Sequence, residues 1–228
     1  MIENQPVLTI HRGHRRPDAS LIDAFRGALT SHLADAMDGR GAVDWRIKPL
    51  DPANASFIGP ALTAHSYPAD IQGMVGAAME AEPGDVIMCA NEHYTGTAVI
   101  GDLAAGMMRN KGVAAFVTDG LARDRAGIVA AGLPVFAMGI LPNSPVSTGP
   151  GQVGAPVVLG GVQVCSGDIV VGDADGVVVI PLSQAQAVLA RLRAVQAAEK
   201  IAEEAVKSGA TCFAGWEEIQ RRARIIQS

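Results

Sequence analysis

The chain has 228 residues, 49% of them apolar and 18% charged, with a net charge of −5; this is enough apolar material for one substantial core and excludes a disordered chain. The acidic balance excludes a general affinity for nucleic acid, which rests mainly on Lys and Arg against phosphates, and so little charged surface points to an oligomer that buries part of it. No apolar run reaches the length of a membrane span, Met1–Thr9 lacks the basic-then-apolar pattern of a secretory signal, and Cys89, Cys165 and Cys212 form no Cys-x-x-Cys pair, which excludes a structural zinc site and fits a reducing cytoplasm.

The basic cluster His11, Arg12, His14, Arg15, Arg16 reads as a solvated N-terminal segment. A helix is predicted over 18–38, capped by Asp18, with Leu21, Ile22, Phe25, Leu29, Leu33 and Met37 at helical spacing; Gly39 and Gly41 end it, and His32 lies beside its core positions as a structural residue. A strand follows at about 57–65, then a helix at 70–81 closed by Pro83-Gly84-Asp85, then a short apolar strand to Ala90. The polar turn Asn91 to Thr97 carries His93, the histidine best placed for function. A helix is predicted at 98–111 with Gly112 as its stop, a buried strand at 113–118, a helical turn at 123–131 before Gly132, and a strand at 134–138. From 155 to 181 the chain is β-rich; a long helix over 183–208 and a short one from Gly215 complete it. Pro83-Gly84-Asp85-Val86-Ile87 is echoed by Ser166-Gly167-Asp168-Ile169-Val170, each a turn feeding a strand, and Cys89 and Cys165 read as buried thiols. The mixture predicts a single α/β domain over 1–228, with layered sheets, a core at about 18–182 and a helical segment at 183–228.

Familiar motifs fail. Gly149-Pro150-Gly151-Gln152-Val153-Gly154 matches G-x-G-x-x-G, but a dinucleotide loop must open a helix whose N–H groups hold the pyrophosphate, and Ala155 to Leu159 reads as a strand. The same failure removes the nucleoside-cofactor loop that a methyltransferase needs. There is no Walker loop, G-x-S-x-G elbow or H-E-x-x-H.

Chemistry concentrates instead on Asp102, Arg123 and Asp124. About ten helical residues advance the chain roughly 15 Å, and a strand after Gly112 returns it roughly 23 Å. That places 119–124 level with Asp102, on a rim where a helix N-terminus favours an anion. The alternative is that Asp124 simply caps the helix that follows it.

Gly101-Asp102-Leu103, twenty residues, then Arg123-Asp124 resembles the D-x20-R-D signature of aldolases in the RraA-like family, of the 4-hydroxy-4-methyl-2-oxoglutarate/4-carboxy-4-hydroxy-2-oxoadipate aldolase type. His32 to Ala36, Gly84 to Ile87, Lys111 to Val113, Gly132 to Phe136 and Gly167 through Pro181 resemble the same family, over roughly residues 20–200. The resemblance implies a layered β/β/α fold, a homotrimer or homohexamer with active sites between subunits, and Mg²⁺ or Mn²⁺ as cofactor. It implies Asp124 as metal ligand, Arg123 on the substrate carbonyl, and Asp102 holding a water on the metal. It further implies a glutamate from a neighbouring subunit's C-terminal helix, Glu199 with Glu203 as alternate. The substrate-binding set is then Gly101, Asp102, Leu103, Arg123 and His93. Two stretches depart from the family pattern: Asn91 to Gly96, and the tail from about 205 with Cys212 and Trp216.

The expected reaction is cleavage of a 4-hydroxy-2-oxo acid, or decarboxylation of oxaloacetate, through pyruvate enolate stabilised by a hard cation. A lysine Schiff base needs a desolvated lysine; Lys48, Lys111, Lys200 and Lys207 all stand in polar or terminal positions. The competing expectation is a non-catalytic binding protein resembling the regulators of ribonuclease E.

Overall fold

The computed structural model describes residues 6–226; the first five residues of the Met1–Thr9 stretch and the last two of the 183–228 segment lie outside the described residues. In chain order the elements are β1 (Leu8–Ile10), α1 (Ala19–Ala24), α2 (Thr30–Ala36), β2 (Lys48–Pro49), β3 (Phe57–Ser66), α3 (Gln72–Glu80), β4 (Val86–Ala90) and β5 (Ala98–Ile100). There follow α4 (Asp102–Asn110), β6 (Ala115–Thr118), β7 (Leu121–Ala122), α5 (Arg125–Ala131), β8 (Val135–Ala137) and β9 (Gly151–Val153). Then come β10 (Val157–Leu159), β11 (Val162–Val164), β12 (Ile169–Asp173), β13 (Gly176–Ile180), α6 (Ala185–Lys207) and α7 (Trp216–Arg222).

Strand alternation builds the layers. The main sheet runs β1-β9-β3-β4-β6-β8-β2, with β3, β4, β6 and β8 mutually parallel. In β4, Ile87 and Cys89 face a core shared with α3, α4 and α5, whereas Val86, Met88 and Ala90 face a second core with β10 to β13. The ten-residue β3 joins the two sheets: its first residues pair with β12 antiparallel, and Ala61 to His65 pair with β4. In β12 and β13, Ile169, Val171, Val178 and Ile180 turn outward to a third core under α1, α2 and α6. The expected β/β/α layering is therefore observed, with N- and C-terminal helices closing the far side. No helix among the described residues is long and apolar enough to cross a membrane.

Five expectations are corrected. The helix over 18–38 is two short helices, because Gly27 adopts φ +78°, outside the right-handed helix. Asp18 begins α1, but its side chain makes no capping bond. The helix at 98–111 starts only at Asp102, since the apolar run Ala98 to Ile100 pairs with β7 as a strand. The basic cluster is solvated only in part: His11, Arg12 and Arg15 are exposed, Arg12 gripping Glu80 through two 2.8 Å bonds, whereas His14 and Arg16 are half-buried and Arg16 bonds Asp85 at 2.5 Å. Cys165 is only partly buried, whereas Cys89 is fully buried and its thiol is pushed up to about 12, so it stays protonated.

The glycine-rich 149–154 segment contains β9, which pairs with β1 and β3 and opens no helix. A Cβ on Gly151 would stand 2.4 Å from the backbone nitrogen of Gly73, so this glycine serves chain-to-chain approach. The sequence echo at 83–87 and 166–170 is one turn used twice. Asp85 accepts from the Glu82 N–H at 2.8 Å, and Asp168 from the Cys165 N–H at 2.8 Å, each stabilising the bend that feeds β4 or β12.

Candidate functional site

The site is assembled by a short two-stranded ladder. β5 and β7 pair in parallel, Ala98 opposite Leu121 and Ile100 opposite Ala122, and the Arg123 N–H donates to the Ile100 carbonyl at 2.9 Å. All of their side chains are buried, so the ladder is anchored in the first core. Its end sets Gly101 against Arg123 and Asp124. The rim expected from helix-and-strand lengths exists, but this pairing produces it.

Gly101 precedes α4 in extended backbone (φ −132°, ψ −176°). A Cβ there would stand 2.8 Å from Asp124 Oδ2 and 3.1 Å from Arg123 Nε, so both charged groups press into the space a side chain would fill. Arg123 Nε and Asp124 Oδ2 are 3.2 Å apart, with the two side chains 37% and 43% exposed. Arg123 Nη1 also donates to Ser144 Oγ. Asp124 is the residue before α5 and holds left-handed backbone (φ 55°, ψ 42°), yet its carboxylate makes no capping bond. The capping alternative therefore fails: strain is accepted at a non-glycine residue whose side chain points elsewhere.

Asp102 opens α4. Its Oδ1 accepts from the Leu103 N–H at 2.7 Å, so that N–H, one of those expected to meet a substrate carboxylate, is already engaged. The other side of Asp102 lies against Gly127 of α5, where a Cβ would meet Oδ2 at 2.6 Å. A cleft of about 320 Å³ opens here, walled by Val99 to Ala104, Arg123, Ser144, Ile71 and Met74; Asp124 reaches its edge across Gly101. No lysine lines it.

Other expected residues stand apart. His93 lies over the ends of β6 and β8, Nε2 3.7 Å from Asp119 Oδ2 and Nδ1 3.5 Å from Met138 Sδ, and is not in the cleft wall. Glu92 and His93 both adopt φ +54°. Asp119 is buried, with Oδ1 accepting from the Asn91 N–H at 2.6 Å and Oδ2 without a hydrogen-bond partner. Burial raises its carboxyl above the usual range, although the Asn91 N–H and His93 pull the other way. Glu199 and Glu203 are exposed on the part of α6 that projects past the core, Glu203 3.1 Å from Lys207, and neither lines the cleft of its own chain.

Sequence reasoning missed Ser144 and the residue that holds its loop. Asp70 is buried and accepts from the N–H groups of Gln72 (2.6 Å), Thr148 (2.7 Å) and Gly149 (2.9 Å), tying the loop after β8 to the start of α3. The only available signal was a polar Asn143-Ser144 between two prolines.

Among the described residues no three His, Cys, Asp or Glu side chains converge as a protein-only metal cage requires. What is present is a hard-oxygen corner: one accessible carboxylate, a second on the adjoining helix turn, and space left by a missing Cβ. Such a donor set fits a Mg²⁺-like cation that keeps most of its waters, and does not fit a soft metal or a site filled entirely by protein ligands.

A family model described as RraA-like, Aldolase/RraA, matches residues 30–179. A protein of Halalkalibacterium halodurans named "Putative 4-hydroxy-4-methyl-2-oxoglutarate aldolase" is 36% identical over 189 residues, 83% of this chain and 90% of its own length. The crystal structure of an uncharacterized protein from Pseudomonas syringae pv. tomato superposes with a TM-score of 0.76 at 28% identity, covering 87% of this chain and 97% of that one. RraAS2 of Streptomyces coelicolor, described as an unusual member of the RNase ES inhibitor RraA protein family, superposes with a TM-score of 0.73 at 27% identity over 83% of this chain and 99% of its own.

Proposed function

The chain belongs to the RraA-like, Aldolase/RraA family, and from that premise we propose that it is a divalent-metal-dependent lyase releasing pyruvate from a 4-hydroxy-2-oxo acid or from oxaloacetate. The observation that carries this reading is the Asp124 carboxylate, free of capping duty and 3.2 Å from the Arg123 guanidinium, at the edge of a cleft that begins at a helix N-terminus. The name of the Halalkalibacterium halodurans relative supports the same reaction class.

Asp124 would hold Mg²⁺ or Mn²⁺, with Asp102 close by. When bound, such a cation supplies Lewis acidity toward the negative charge that develops on the substrate's C2 oxygen. Arg123 donates N–H to that same oxygen, and Ser144 fixes the guanidinium so that little reorganisation accompanies the reaction. The first turn of α4 attracts the substrate carboxylate through its dipole. Asp102 moves the proton through Oδ2, because Oδ1 is engaged by the Leu103 N–H. Leu103 and Met74 line the cleft and limit water beside the reacting carbons. A glutamate from the α6 of a neighbouring copy, Glu199 or Glu203, completes the site in a trimer or hexamer.

The test is pyruvate release from several 4-hydroxy-2-oxo acids and oxaloacetate, with and without EDTA. Activity should vanish in chelator and return with Mg²⁺ or Mn²⁺; undiminished activity in EDTA removes the metal role, and no pyruvate from any substrate removes the lyase. A second reading, a binding protein acting on ribonuclease E, is favoured by the likeness to RraAS2. Pull-down with the ribonuclease, run beside the oxaloacetate assay, separates the two.

A further inference from the structure

The wall of the cleft is of two kinds. Asp102, Arg123 and Ser144, with Asp124 at the edge, supply its polar groups, and all four act in the proposed function on the C1–C2 end of a substrate. The remaining side chains, chiefly Ile71, Met74, Val99, Leu103 and Pro145, carry no charge and no N–H or O–H donor. Once the carboxylate and carbonyl of a 2-oxo acid are held at the polar corner, the wall left for the C4 end is apolar.

The cations that could pair with a second carboxylate are engaged elsewhere. Among the described residues that wall the cleft, Arg123 is the one cation, and it is already shared between Asp124 and Ser144. Arg125, two residues on, donates to the Leu50 carbonyl at 2.9 Å. Past Met74 and Ala104 the surface between α3 and α4 stays apolar, and Lys111, at the end of α4, donates to the carbonyls of Ala78 and Met79. The side chain brought from another copy in the proposed function is a glutamate, which adds negative charge. A carboxylate set against Ile71 and Met74 would lose its water without gaining a partner, which is costly. Each methylene buried there instead improves binding by about fourfold.

We propose that the preferred substrate is a 4-hydroxy-2-oxo acid with a single carboxylate, whose C4 carries an uncharged aliphatic group seated against Ile71, Met74 and Leu103. This deepens the lyase reading and rests on it. In the reaction the proton leaves the C4 hydroxyl, the C3–C4 bond breaks, and its electron pair passes into the enolate, which takes up a proton at C3. The products are pyruvate and an uncharged aliphatic aldehyde. Oxaloacetate still fits the chemistry, since the carboxylate that would meet the apolar wall is the one lost as neutral CO₂.

The test uses the full chain with Mg²⁺ and two substrates of one shape, 4-hydroxy-5-methyl-2-oxohexanoate and 4-hydroxy-2-oxoglutarate, which carry an isopropyl group and a carboxylate on C4. For pyruvate release, kcat/KM should favour the first by about tenfold or more. Leu103 is 76% exposed, so Leu103→Arg should keep the melting temperature while placing a cation on the apolar wall. It should shift the ratio toward the glutarate by about tenfold or more. The uncleavable analogues 5-methyl-2-oxohexanoate and 2-oxoglutarate repeat the comparison as dissociation constants by calorimetry, where no turnover is needed. Preference for the carboxylate, equal values for a pair, binding of neither analogue, or a Leu103→Arg ratio equal to that of wild type overturns the proposal. A protein that releases no pyruvate yet binds 5-methyl-2-oxohexanoate the more tightly defeats only the lyase reading; one that releases pyruvate faster from the glutarate defeats only the substrate class.

Discussion

Gly101 has a backbone conformation that any residue can adopt, so the requirement for glycine comes from its neighbours. Asp124 Oδ2 and Arg123 Nε occupy the place of its Cβ. Gly101→Ala should therefore fold with a melting temperature within about 2–4 °C of wild type, a loss of about 1 kcal/mol at most, while displacing both charged groups and lowering kcat for pyruvate release by about 10²-fold. Asp124 is at φ +55°, a region asparagine tolerates well. Asp124→Asn keeps the backbone and removes the charge, and should reduce oxaloacetate turnover by about 10²-fold or more without changing the denaturation midpoint. Asp119 makes the opposite case, a carboxyl whose charge the fold resists. Its folded pKa is raised, so the folded state binds more protons than the unfolded state and stability falls as pH rises from the unfolded pKa through the folded one. Asp119→Asn should raise the melting temperature at pH 8 and lose that advantage toward pH 4; a uniform change across that range would show that charge is not the cause.

At the scale of elements, the site depends on two attachments rather than on a long helix. The β5–β7 ladder joins residues about twenty apart and delivers Gly101 beside Arg123. Asp70 fastens the loop that carries Ser144. Burial works against the Asp70 charge, but the N–H groups of Gln72, Thr148 and Gly149 with the Thr148 hydroxyl outweigh it and hold its pKa below the usual range. A depressed folded pKa contributes stability above the unfolded value, about 3.9, which is lost as pH falls through the folded one. Asp70→Ala should cost about 1–3 kcal/mol at pH 7, with a difference from wild type that shrinks below about pH 4. Chemical denaturation across that range measures it. Because Arg123 loses its fixed Ser144 partner, KM should rise in the same variant.

At the scale of the whole molecule, three cores leave the candidate cleft on the helical face of the main sheet and the exposed second half of α6 on the face opposite. On the proposed function, a cleft completed by another copy's glutamate would make catalysis depend on assembly. Specific activity should fall on dilution through the dissociation range and recover with concentrated Glu199→Gln/Glu203→Gln chains only where their clefts receive an unmutated α6 from another copy. Constant specific activity from micromolar to low nanomolar protein, while mass falls to that of a single chain, would place every catalytic group within one copy.

Local pattern alone marked β3, β4, β6, β13 and α6, since each has enough residues to display a period that its own neighbours create. It also marked Asp102, Arg123 and Asp124, whose chemistry is conspicuous at their spacing, and the family resemblance followed from them. It gave no notice of β1, β5, β7 or β9, which are two or three residues long and exist only because a distant strand supplies their hydrogen bonds. Nor did it show the break at Gly27, the Asp70 clamp on Ser144, or the position of His93 outside the cleft. The sequence by itself determined which residues carry charge and which faces are apolar; the tertiary structure decided which of them meet, because long-range pairing depends on the burial available to the entire chain and not on any one segment.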